Sequence, residues 1–145
     1  MQEVTAPLSS ALSPLVEGQE ALANVLVVDD EPECRWLVKK MLSRCQVSEA
    51  DSGSEAFEAV REHVPDLVIT DIRMAQMDGC TLLMNLRATF PDLPVIAVSG
   101  VLDMDSLRHY GFNAFIDKPI EPKQLCDTVA SALPRRRRKT DQSSN

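Results

Sequence analysis

An α/β fold, a doubly wound five-stranded parallel sheet with helices on both faces, is what the sequence predicts. Three observations point there. Short runs that are apolar throughout alternate with stretches of 3.6-residue period. Those runs lack the polar alternation of a half-exposed strand. They read as strands covered on both faces, the habit of parallel sheets joined by helical crossovers. The third is size: 145 residues, 44% hydrophobic and 26% charged, supply one domain with a full core and no need of a disulfide or metal staple.

Residues 1–22 show no sustained periodicity and are broken by Pro7, Pro14 and Gly18; a mobile arm is expected there. A domain over 23–134 and a basic tail over 135–145 follow. Asn24-Val-Leu-Val-Val28 is the first strand. Apolar residues at 34, 37, 38, 41, 42 and 45 then mark one face of a helix, with Pro32 tolerated in its first turn. Val47 to Ala50 is a weaker strand. Ser52-Gly-Ser54 opens a second helix with Ala56, Phe57, Val60 and Val64 inward, and Pro65-Asp66 ends it. Leu67 to Thr70 is the third strand. Asp78-Gly79 leads into a helix carrying Leu83, Leu86 and Phe90, closed by the turn Pro91-Asp-Leu-Pro94. Val95 to Val98 is the fourth strand. A short, poorly patterned helix is expected around Asp103 to Tyr110, and Ala114 to Ile116 is the fifth strand. The last helix follows Pro122, with Leu125, Val129, Ala132 and Leu133 on its inner stripe. Right-handed crossovers wind these strands into an open sheet whose ligands bind at the carboxyl ends, near the switch in strand order.

The net charge of −7 is uneven. Residues 135–145 hold five bases and one acid, so the rest of the chain carries −11. An acidic body is a poor nucleic-acid binder, and nucleic acid is not expected as a partner except through the basic tail. No aromatic residue interleaves Arg135 to Lys139, and the run reads first as a solvated tail or linker. No apolar run approaches the ~18 residues of a membrane span. The N-terminus lacks the basic-then-apolar pattern of a secretory signal, so a cytoplasmic location is expected. Cys34, Cys45, Cys80 and Cys126 form no C-x-x-C pair, and only His63 and His109 could join them, so zinc is not expected. Cys34 and Cys45 share the helical stripe and read as reduced core thiols. Trp36 flanks that stripe as a packing or surface residue.

The strand ends carry the functional signal. Strand one ends in Asp29-Asp30, strand three in Asp71, strand four in Ser99-Gly100 and strand five in Asp117-Lys118-Pro119. Asp29, Asp30 and Asp71 in one crevice would repel one another unless a cation lies among them. Oxygen donors without imidazole or thiolate suit a hard ion such as Mg²⁺. Lys118 can neutralise a phosphoryl oxygen, Ser99 can hydrogen-bond another, and a carboxylate can be the nucleophile. These are the parts of a phosphoryl-transfer site that marks an aspartate.

The stretches VLVVDDEPECRWLVKKML, EADSGSEAFEAV, PDLVITDIRMAQMDG, PVIAVSG and FIDKPI resemble the response-regulator receiver domain of two-component signalling, a CheY-like, flavodoxin-like fold. The resemblance runs from Asn24 to about Leu133. It implies that Asp71 is the phosphoacceptor. It also implies that Asp30 binds Mg²⁺ directly with Asp29 helping through water, and that the Arg73 backbone carbonyl completes the protein ligands. Ser99 and Lys118 would bind the phosphoryl group, and Phe115 would turn inward as Ser99 moves toward the phosphate. Arg73 and Val101 would flank the path of the water that removes it. Ala75 departs from the proline usual after Met74, which leaves that loop less restrained. The span from Ser99 to Lys118 is short for the family.

The implied function is a stand-alone phosphorylation switch, not an enzyme beyond its own phosphorylation and dephosphorylation. A histidine kinase or phosphotransfer protein would feed it, and no output domain is expected in the chain. A homodimer formed on phosphorylation is compatible with the same pattern. The alternative is a pseudo-receiver adaptor that binds partners without phosphorylation. A phosphoester hydrolase is disfavoured, because position 73 is Arg where a second acid would protonate the leaving group.

Overall fold

In the computed structural model, which describes residues 22–100 and 107–134, five parallel strands form one sheet. They are β1 (Asn24–Val28), β2 (Gln46–Ala50), β3 (Leu67–Asp71), β4 (Val95–Ser99) and β5 (Ala114–Asp117). Their order is β2-β1-β3-β4-β5, so the strand order reverses between β1 and β3. Register pairs Val28 with Thr70, Asp71 with Val98 and Ser99 with Asp117, which brings the strand ends to one edge.

Four helices cover the two faces: α1 (Pro32–Met41), α2 (Gly53–Glu62), α3 (Gly79–Thr89) and α4 (Pro122–Ala132). Because side chains alternate along a strand, Val25, Val27, Ile69, Ile96 and Val98 pack with Val38 of α1 and Leu125, Cys126 and Val129 of α4. Leu26, Val28, Val68, Val95 and Ala97 pack on the other face with Ala56 and Val60 of α2 and Leu82, Leu83 and Leu86 of α3. The central strands are apolar throughout because both faces are covered; β2, at the edge, is largely exposed.

Some sequence expectations need correction. Leu37 is not on the core face of α1: it is 47% exposed, and Trp36 beside it is 57% exposed with Lys40 Nζ 5.3 Å from its ring centroid. The core meets only a narrow arc of α1, through Val38 and Met41 and then Leu42 just past its end, and Leu37 lies about 100° round the helix from Val38. Cys34 is half-buried at the helix start, whereas Cys45 is buried as expected but lies beyond the helix end. Val64 is 55% exposed because α2 stops at Glu62, whereas Phe57, half-buried, packs on the core as expected. The arm expected over 1–22, apart from Leu22, the basic tail from Arg135, Val101 and the first half (103–106) of the helix expected around Asp103 to Tyr110 lie outside the described residues.

Candidate functional site

The site sits where β1 and β3 run side by side and end together. Asp29 follows β1, and its N–H still donates to Ala50 O of β2 at 3.1 Å. Its carboxylate then folds back: Oδ1 accepts the Glu31 N–H at 2.9 Å, a short Asx-type turn that starts α1. Asp71 is the last residue of β3, and the Ile72 N–H donates to its Oδ1 at 3.0 Å. Asp29 and Asp71 are buried, whereas Asp30 is exposed.

Lys118, just past β5, reaches across the edge. Its Nζ lies 3.3 Å from Asp71 Oδ1 and 3.8 Å from Asp29 Oδ2. The Lys118 N–H donates to Ser99 O at 3.0 Å, so the ends of β4 and β5 are tied together with the buried Ser99 beside the lysine. Burial raises the Asp29 carboxyl above its ordinary range, only partly offset by the Glu31 N–H and by Lys118. Burial also raises Asp71, the Asp29 charge adds to it, and Lys118 opposes it. Burial acts to lower Lys118, but the Asp71 and Asp29 carboxylates outweigh it and hold the ammonium above its usual value.

Carboxylate oxygens of Asp29, Asp30 and Asp71 lie within 4.8 Å of one another. Two of these carboxylates are buried, both are raised, and they share one lysine. The donor set is all oxygen, so the cluster fits a small hard cation such as Mg²⁺. Asp29 also groups with Glu31 and Cys34. There the Cys34 thiol donates to Glu31 Oε1 at 3.1 Å, and burial together with that hydrogen bond pushes it up to about 11, so it is no thiolate.

The structure thus gathers Asp29, Asp30, Asp71, Ser99 and Lys118 at one edge. Arg73 lies exposed in the loop after β3. Phe115 on β5 is half-buried and packs edge-to-face on Phe112, with ring centroids 5.8 Å apart, against the α2–α3 side of the core.

Two residues at the site escaped the sequence reading of roles. Gly79, at the start of α3, sends its N–H to Ile72 O at 2.8 Å, and a Cβ there would collide with the Asp71 carbonyl oxygen. Arg35 donates from Nη1 to Asp29 O at 2.7 Å and from Nε to Glu49 Oε1 at 2.9 Å. A cation in the first turn of a helix opposes the helix dipole, and that mismatch was the available signal that Arg35 has a specific acceptor.

Comparison with known proteins places the chain in a family. Residues 25–130 match the family described as the response regulator receiver domain. The chain is 36% identical over 129 residues to response regulator Rre1 of Synechocystis, covering 83% of this chain and 56% of that protein. It is 32% identical to the DNA-binding transcriptional regulator NtrC of Escherichia coli over 75% of this chain, but spans only 24% of NtrC. Among solved structures, the receiver domain of NtrX from Brucella abortus superposes with a TM-score of 0.71 at 33% identity, covering 75% of this chain and 97% of that domain. Among the described residues, no helix is long and apolar enough to cross a membrane.

Proposed function

The chain belongs to the response-regulator receiver domain family, and from that premise we propose that it is a phosphorylation switch with Asp71 as its phosphoacceptor. The observation that carries this reading is the buried Asp71 carboxylate at the end of β3, with Lys118 Nζ 3.3 Å from Oδ1. The donor is a phosphohistidine on a histidine kinase or phosphotransfer protein. An Asp71 carboxylate oxygen attacks phosphorus, the O–P bond forms as the P–N bond breaks, and the electron pair leaves on the donor imidazole. Lys118 then pairs with the phosphoryl group, and the Ser99 hydroxyl hydrogen-bonds it.

Asp29, Asp30 and Asp71, with the Arg73 backbone carbonyl, are the residues that would hold Mg²⁺. When bound, that ion supplies positive charge opposite the phosphoryl oxygens. Ser99 and Phe115 are the pair proposed to carry the change away from the site. In this proposal the receiver spans residues 23–134, catalyses only its own phosphorylation and dephosphorylation, works in the cytoplasm, and is read out by protein contact. Whether phosphorylation brings two copies together is decided by sizing the phosphorylated form.

The test is intact mass after incubation with Mg²⁺ and a small acyl phosphate. One added phosphoryl group is expected in the parent and none in Asp71→Asn. A parent that takes no phosphoryl group from this donor or from a phosphohistidine protein would be the adaptor; stoichiometric labelling of Asp71→Asn would move the acceptor elsewhere.

A further inference from the structure

We infer that Arg35 is a positioning residue for the acidic turn, holding the Asp29–Asp30 peptide in the orientation that lets both carboxylates meet a cation. The inference rests on the cation reading above. Asp29 is the first residue past β1, and its carbonyl belongs to the peptide that joins it to Asp30. Rotating that peptide changes ψ of Asp29 and φ of Asp30 together, so it re-aims both side chains. The structure fixes it at its oxygen: the Asp29 carbonyl accepts from Arg35 Nη1 at 2.7 Å, while the preceding peptide is pinned separately by the Asp29 N–H, which donates to Ala50 O.

Arg35 is itself fixed. Its side chain is only 17% exposed, and its Nε donates to Glu49 Oε1 on β2 at 2.9 Å. Glu49 stands opposite Val27 in the register, and its other oxygen is 3.6 Å from Lys39 Nζ. One planar fork thus links α1, the end of β1 and β2. Lysine keeps the charge but cannot span two acceptors in a fixed plane.

The sign of the effect separates positioning from simple charge. A guanidinium beside a cation site repels the cation, so Coulomb's law alone predicts that Arg35→Gln binds Mg²⁺ more tightly. Positioning predicts the opposite. The experiment titrates the full chain with Mg²⁺ alone and takes the midpoint from the fluorescence of its single tryptophan, Trp36. The midpoint of the Mg²⁺-dependent rise in Tm is the second readout.

Arg35→Gln should raise the Mg²⁺ Kd by about 10-fold, the scale seen when a partner of a metal ligand is lost. Arg35→Lys should also weaken binding several-fold despite its charge. Glu49→Gln, which keeps an acceptor for Nε, should stay within about two-fold of the parent, while Glu49→Ala should follow the Arg35 variants. Should Arg35→Gln fail to fold, Glu49→Ala carries the same test. A lower Tm with an unmoved Mg²⁺ midpoint, or a tighter one, would overturn the inference and leave the cation reading standing. A parent with no saturable Mg²⁺ response would overturn both.

Discussion

Asp29 is where the residue-scale electrostatics concentrate. From sequence alone the repulsion is shared among three adjacent acids; the fold buries Asp29 and Asp71 and leaves Asp30 in solvent. Water screens Asp30, so its charge costs little when no cation is bound. Asp29 has no such relief: its carboxylate is desolvated and faces Asp71. Asp29→Asn keeps an oxygen to accept the Glu31 N–H while removing the charge. In chelator it should melt higher than the parent, by about 3 °C for roughly 1 kcal/mol of relieved repulsion. It should also lose part of the stabilisation that Mg²⁺ gives. Asp30→Asn should match the parent in chelator yet still weaken the Mg²⁺ response. Thermal melts of the three proteins with and without Mg²⁺ check both statements, and an Asp29→Asn protein melting below the parent in chelator contradicts the first. Which of two adjacent aspartates is buried was not legible in the sequence, because a strand end gives no count of the residues still under cover.

At the scale of elements, the helix starts show what a sequence can and cannot reveal. The start of α2 was legible: Ser52 Oγ accepts the Glu55 N–H at 3.1 Å, and Glu55 Oε1 in turn accepts the Asp51 N–H at 2.6 Å. Serine followed three residues later by glutamate is a local signal, complete within one turn. The inward arc of α1 was not legible, because a period gives angles between residues but not the width of sheet they meet. The start of α3 was half legible. Asp78 caps it, accepting the Thr81 N–H at 2.8 Å, but the need for glycine next to it comes from β3, distant in the fold until packing brings it in. Helix propensity alone predicts that Gly79→Ala stabilises by about 1 kcal/mol. The close approach of Gly79 to the Asp71 carbonyl predicts the reverse, a loss of roughly 1–3 kcal/mol from overpacking. Urea unfolding reads the sign directly. Because the displaced atom belongs to Asp71, the proposed acceptor, the initial rate of labelling by a small acyl phosphate should fall as well.

For the whole molecule, the strand order β2-β1-β3-β4-β5 brings the strand-end acids, Ser99 and Lys118 to one edge; in the proposed function the lifetime of the signal falls to residues that follow the strands in sequence. The fold was legible because four of the five strands are apolar runs bounded by turn residues. The strand-end acids, hydroxyl and lysine were legible because a parallel sheet puts all carboxyl ends on one side. The loops were not, since their residues answer to no period. Loss of an acyl phosphate needs a water aligned with phosphorus, and the residues proposed to flank its approach are Arg73 and Val101. Arg73, exposed after β3, carries only donors, so it cannot take a proton from the attacking water. Val101 has no polar group to orient a water. The phosphorylated protein should therefore be long-lived, as suits a relay or a sustained output. The double variant Arg73→Asn, Val101→Glu supplies groups that can orient water, and it should lose phosphate at least about 10-fold faster, a floor set below the roughly 100-fold that a positioned acid or base contributes at the low end. The measurement is the decay of phosphorylated mass after the donor is removed, with Mg²⁺ kept constant. A parent that decays as fast as the double variant would show that Arg73 and Val101 do not set the lifetime.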